Sequence, residues 1–192
     1  MKIEEYQNLA MRTSPDGHDR ILNGCMGLIG ESGEIVDIVK KWKFQSGDHA
    51  ELPVDKLIDE CGDVLWYCAE LTTGMNDFMA ALFIEKNFFF DVMREINEES
   101  PLELTVTRLA AMSVRPAIYL LDGLPVEERE VGRHYLEANA KSEIVGIMST
   151  IRDILEIHCK TSLLGAMEHN IEKLRRRYPD GFDPERSLHR TE

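Results

Sequence analysis

Two short acidic patterns are the residues best suited to chemistry. Glu31-x-x-Glu34 sits in GLIGESGEIVDIVKKW, and Glu60-x-x-Asp63 sits in KLIDECGDVLWYCAEL. On a helix, i,i+3 spacing puts both carboxylates of a pair on one face. Glu31 and Glu34 project into the arc of Leu28, Ile35, Ile38 and Trp42, and Glu60 and Asp63 into that of Leu57, Val64, Tyr67 and Leu71. Both pairs are therefore expected to turn inward. A lone acidic pair more commonly decorates a solvated face, but two pairs inside apolar arcs favour a site. Buried carboxylates are costly unless paired or bound to a metal, and no lysine lies centrally in either arc. Four converging carboxylates make a hard, all-oxygen donor set suited to Mg²⁺ or Mn²⁺ and, through the metal, to phosphate.

The elements that would position these residues are all helical, and strand alternation is missing. Helices are expected over Lys2–Arg12, Arg20–Phe44, Val54–Gly74 and Asn76–Glu98. Further ones are expected over Leu102–Leu121, Val126–Ala140, Ser142–Cys159 and Leu163–Tyr178. Ser14-Pro15-Asp16-Gly17 breaks the chain after the first, Pro53 precedes the third, and Pro116 should kink or restart the fifth. Gly24, Gly27, Gly30 and Gly33 recur at threefold spacing inside the second helix. Each glycine costs about 1 kcal/mol against alanine there, which calls for close packing or ligand approach in return. The Phe-rich stretch with Phe78, Phe83 and Phe88–Phe90 reads as core or as a dimer contact.

The 192 residues suffice for one domain with a real core. With 43% apolar and 30% charged residues the chain is globular, and its net charge of −13 disfavours nucleic-acid polymers. No apolar h-region appears in MKIEEYQNLAMR and no window reaches a membrane span, so a cytoplasmic location is expected. Cys25, Cys61, Cys68 and Cys159 form no C-x-x-C and read as reduced core thiols.

The densest basic cluster lies near the C-terminus. Asn170, Lys173 and Arg177 line one helical face with Met167 and Leu174, Arg175 and Arg176 point elsewhere, and Arg186 and Arg190 follow. Cations in a last turn also complement the helix dipole, but Lys173 and Arg177 in an acidic chain suit phosphate.

GLIGESGE, DECGDVLWYCAEL and NIEKLRRRYPDGF together resemble the signatures of the MazG-like all-α nucleoside triphosphate pyrophosphohydrolases. The resemblance covers roughly residues 3–75 and 163–190. It implies an all-α helical bundle and Mg²⁺-dependent cleavage between the α and β phosphates. Glu31, Glu34, Glu60 and Asp63 would be metal ligands, and one of these carboxylates, Glu31 or another, would orient or deprotonate the water. It further implies substrate binding by Asn170, Lys173, Arg177, Tyr178 and Tyr67. Trp42 either stacks on the base or packs in the core. The substrate partner would be a nucleoside triphosphate, and a homodimer is expected unless a tandem replaces it.

The chain reads as one all-α domain, residues 1–192, with 1–98 as its catalytic module. Residues 102–178 are either a degenerate second copy, with Glu143 and Gly146 near the Glu60 and Asp63 positions, or an unrelated helical insertion. Three rival functions stand. A di-iron bundle needs Glu-x-x-His, and no histidine here has an acid three residues before it. A phosphoribosyl-ATP-like substrate fits the aromatic and C-terminal signatures less well. A non-catalytic helical module is discriminated by the absence of a specific Mg²⁺ site.

Overall fold

The computed structural model describes residues 1–47, 50–83, 94, 98, 100–121 and 129–188. Among them every regular element is helical. The first three helices are α1 (Ile3–Met11), α2 (Arg20–Gln45) and α3 (Val54–Gly74). Next come α4 (Leu102–Ser113), α5 (Arg115–Leu121) and α6 (Arg129–Asp153). The latter runs on as a π-helical turn, Ile154–His158, before α7 (Leu163–Arg177) and the short α8 (Pro184–Leu188). A further short helical stretch spans residues 79–83. No helix among the described residues is long and apolar enough to cross a membrane.

Local signals explain several boundaries. Asp19 caps α2 by accepting the backbone N–H groups of Ile21 and Leu22 at 3.1 and 3.0 Å. Ser162 caps α7 by accepting the N–H of Gly165 at 3.0 Å. The expected disturbance at Pro116 is a break at Val114, after which Arg115 restarts the helix as α5.

Other expectations need correction. Val126–Ala140 and Ser142–Cys159 are not separate helices where described: α6 is continuous through Lys141. Ser142 does not interrupt it, because its hydroxyl donates back to Ala138 O at 3.0 Å and leaves the ladder intact. Beyond α7 the chain is tied back to the first loop. Phe182 N–H donates to Arg12 O at 3.3 Å, and its ring lies 6.0 Å from that of Tyr178. Of the two readings for the Phe-rich stretch, Phe78 at 58% exposure does not fit the core, whereas Phe83 packs against it. Phe88–Phe90, most of the expected Asn76–Glu98 helix and Arg190 lie outside the described residues.

One apolar cluster joins the two halves of the chain. It runs from Tyr6 through Leu28, Leu65 and Leu109 to Ile144, Met148 and Met167. From Ile144 to Leu155 every residue of the α6 and π-turn segment is buried, so this segment is the central rod. Across α2 and α4, Ser32 and Ser113 hydrogen-bond at 2.7 Å, both fully buried.

Two of the four glycines explain how closely α2 and α3 approach. A Cβ on Gly24 would overlap Leu71, and one on Gly27 would overlap the ring of Tyr67. Gly30 and Gly33, by contrast, face open space. Close packing thus accounts for the first pair only.

Candidate metal and nucleotide site

Helices α2 and α3 bring Glu31, Glu60 and Asp63 together. Each offers a carboxylate oxygen, these oxygens lie within 4.8 Å of one another, and all three residues are half-buried. Glu34 is not in this set. The buried stripe of α2 passes through Leu28, Ser32, Ile35 and Val39. Glu34 lies about 100° from Ile35 on that helix, so it turns to solvent, against the expectation that both acids face inward.

Helix α7 supplies the partners. Asp63 Oδ1 accepts from Asn170 Nδ2 at 2.9 Å, and Oδ2 accepts from Lys173 Nζ at 2.8 Å. Asn170 is fully buried, and its own Oδ1 accepts from Tyr6 OH at 3.0 Å. The Tyr6–Asn170–Asp63 chain thus links α1, α7 and α3. Gly62 makes room for it, since a Cβ there would stand 3.0 Å from Asn170. Lys173 also reaches Asp59, whose Oδ1 faces His169 Nε2 at 2.9 Å.

The three carboxylates strain one another electrostatically. Burial first, then the charges of Asp63 and Glu60, push the Glu31 carboxyl up to about 7, with Lys173 opposing. Glu60 is raised by burial and by Asp63, again against Lys173. Contact between the Glu31 and Glu60 carboxyls raises the first and lowers the second. Three clustered carboxylates carry more negative charge than the one nearby ammonium of Lys173 offsets. An all-oxygen set of this kind fits a hard divalent cation.

Two cavities flank the set. One, about 260 Å³, is lined by Glu31, Asp63, Tyr67, Arg177 and Tyr178 among others. Among the described residues the guanidinium of Arg177 has no side-chain partner; only its carbonyl is engaged, by Arg186 Nη1 at 3.5 Å. Arg186 itself is exposed and paired with Asp183, while Arg175 and Arg176 are exposed. The other cavity, about 540 Å³, is bordered by Glu34, Lys41, Trp42, Lys56 and Glu60. Trp42 is half-buried, with its indole N–H donating to Ala50 O at 2.9 Å. Trp42 is therefore apart from Tyr67 and Tyr178, which share the smaller cavity.

Several residues of the smaller cavity were not singled out as site residues in the sequence: Thr13, Pro15, Asn23, Trp66, Phe182 and Ser187. Trp66 adjoins Tyr67 edge-to-face, with centroids 4.9 Å apart, and its Nε1 donates to Ala10 O and Thr13 Oγ1. The loop residues could not be placed from periodicity, because loops have none. Only the adjacency of Trp66 to Tyr67 in sequence hinted that this wall is aromatic.

The chain is similar to the Gene 37 protein of Mycobacterium phage L5, at 38% identity over 58 residues. That stretch is 30% of this chain and 51% of that protein, so the chain spans about half the length of the relative it matches. No protein-family model matches the chain, and no solved structure does. The similarity leaves the chemistry to be read from the site itself.

Proposed function

We propose that the protein is a Mg²⁺-dependent hydrolase of the MazG-like kind, cleaving a nucleoside triphosphate to the monophosphate and pyrophosphate. The observation that carries this reading is the convergence of Glu31, Glu60 and Asp63 within 4.8 Å, beside a cavity that also holds an unpaired Arg177. Cleavage between the α and β phosphates rests on the resemblance of the acidic and C-terminal signatures to that family.

Glu31, Glu60 and Asp63 would hold the metal, with Glu34 at the margin of the set. Mn²⁺ meets the same donor preference. When bound, such a cation would offset phosphate charge and lower the pKa of a water. Asn170 and Lys173 orient Asp63 and keep both its oxygens in fixed directions. Glu31, whose carboxyl burial and its acidic neighbours raise to about 7, is suited to take a proton from the attacking water. Arg177 offers paired N–H donors to phosphate oxygens, and Lys173 adds a point charge. Tyr67 and Tyr178 wall the cavity that would take the base. The four free, buried thiols suit a reducing, cytoplasmic setting. Dimerisation is the family expectation and is checked by light scattering.

The test is a panel of ribo- and deoxyribonucleoside triphosphates with Mg²⁺ and with Mn²⁺, reading pyrophosphate and orthophosphate separately. Pyrophosphate from one or a few substrates is the expected result. Orthophosphate alone would leave a metal phosphohydrolase and reject α–β cleavage. No product, together with no specific Mg²⁺ binding, would leave a helical interaction module.

A further inference from the structure

Glu70 is a fully buried carboxylate that the proposed chemistry does not use. It stands two turns beyond Asp63 on α3 and organises the loop that borders the smaller cavity. Oε1 accepts from Ser14 Oγ at 2.9 Å and faces His18 Nε2 at 2.6 Å. Ser14 Oγ in turn accepts from Arg20 Nη1 at 2.7 Å, so its own hydrogen is directed at Glu70. His18 Nδ1 faces the carbonyl of Pro15 at 2.5 Å and must donate there. Whichever of the two groups carries it, the hydrogen shared by His18 and Glu70 sits between Nε2 and Oε1, away from Oε2. Oε2 is left as a plain acceptor, and it takes Asn23 Nδ2 at 2.5 Å.

This decides which way the Asn23 amide points. A flipped amide would set Oδ1 against Oε2, acceptor on acceptor, in a buried place. With Nδ2 committed to Glu70, Oδ1 is the free end of the amide. It receives no hydrogen bond from the described residues. Because no buried side-chain nitrogen or oxygen among them lacks a partner, Oδ1 is open to the cavity that Asn23 lines. The neighbouring donors are already engaged: Trp66 Nε1 by Ala10 and Thr13, and the Thr13 hydroxyl by Ala10 O.

Asn23 and Glu31 are eight residues apart on α2, about 12 Å along its axis. Tyr67 lies against Gly27 between them. A ligand touching both ends must be elongated, with a flat middle, anionic near Glu31 and Arg177, and a hydrogen-bond donor at Asn23.

We propose that Asn23 is a specificity-determining residue that accepts a hydrogen bond from an exocyclic amino group on the nucleobase, with Glu70 as the positioning residue that presents Oδ1. The favoured substrates are then cytosine- or adenine-type nucleotides rather than their uracil- or hypoxanthine-type counterparts. The inference rests on the nucleotide reading above and names its substrate class.

The experiment compares CMP with UMP and AMP with IMP by isothermal titration, since each pair exchanges an amino group for a carbonyl. The matching triphosphates with Mg²⁺ are assayed for pyrophosphate in parallel. In the preferred pair the amino member should bind about tenfold tighter or more, because a carbonyl would leave Oδ1 facing another acceptor. Asn23→Leu should level the pair. Glu70→Gln can donate to either end of the Asn23 amide, so the preference should shrink to about threefold or less while helicity is retained. Equal or tighter binding of UMP and IMP, no binding of any monophosphate, or a preference that survives Asn23→Leu overturns the assignment. If Glu70→Gln does not fold, the Asn23→Leu comparison still decides. If the binding preference holds but no triphosphate releases pyrophosphate, the proposed activity falls and the role of Asn23 stands.

Discussion

Titrating the metal-free protein with Mg²⁺ at pH 6 and at pH 8 should give affinities about tenfold apart, weaker at pH 6. The source is Glu31, whose carboxyl is held at about 7 by burial and by Asp63 and Glu60. With that value the group is about nine-tenths protonated at pH 6 and about one-tenth at pH 8. A carboxylate ligand must lose its proton to bind, so Mg²⁺ should expel about 0.9 proton at pH 6 and about 0.1 at pH 8. Glu60 is shifted in the same direction and adds to the difference. Calorimetry in two buffers of different ionisation enthalpy reads the proton count directly. Glu31→Gln should remove most of the pH dependence. A wild-type protein that binds Mg²⁺ equally well at both pH values, with no proton released at pH 6, would refute the reasoning. The same shift has a stability consequence. Folded, metal-free protein keeps the Glu31 proton up to about 7, whereas the unfolded chain loses it near the ordinary value of 4.5. A raised carboxyl therefore favours folding at low pH, and that contribution fades as pH rises through this window. Because the group is partly exposed and screened, the loss should be about 1–2 kcal/mol. Melting temperature followed between pH 4.5 and 7.5, with and without Mg²⁺, should show the fall and its reversal by the metal.

Asn170→Ala should cost about 1–3 kcal/mol, read by denaturant unfolding, because Asp63 loses a donor and Tyr6 loses its best acceptor in a buried place. Gly27→Ala should destabilise by about 1–3 kcal/mol as the new methyl displaces Tyr67. Gly30→Ala, facing open space on the same helix, should instead stabilise by about 0.5–1 kcal/mol. If the two variants melt alike, the close α2–α3 approach is wrong. Lys173→Met should tighten Mg²⁺ binding severalfold, since the competing ammonium is gone, yet lower kcat about a hundredfold. Weaker metal binding in that variant would contradict the electrostatic account.

Much of the first half of the chain was legible from local pattern alone. The bounds of α2 and α3 follow from an Asp19 cap, a proline before Val54 and apolar periodicity, all of which act within one turn of chain. Glu31, Glu60 and Asp63 could be picked out because their helical arcs are apolar. Glu34 could not be separated from them, because an arc read from sequence has no sharp edge. Its true edge is drawn by the helix that covers it, and here Ser113 of α4 covers Ser32 and leaves Glu34 outside. The continuity of α6 through Lys141 was hidden for a related reason: the polar residues around Ser142 suggest a break by composition, whereas the buried segment from Ile144 to Leu155 anchors the helix that runs through them.

What the sequence by itself determined is the all-helical class, the two acidic helices and the basic face of α7, since each depends on the spacing of neighbours along one helix. What only the tertiary structure decided is which side chains meet. Lys173 reaches Asp63 across 110 positions, Tyr6 reaches Asn170 across 164, and Glu70 gathers Ser14, His18 and Asn23 from a loop and a helix N-terminus. Those pairings depend on helix packing angles and on close approach at Gly24, Gly27 and Gly62, which set distances that no periodicity along the chain encodes.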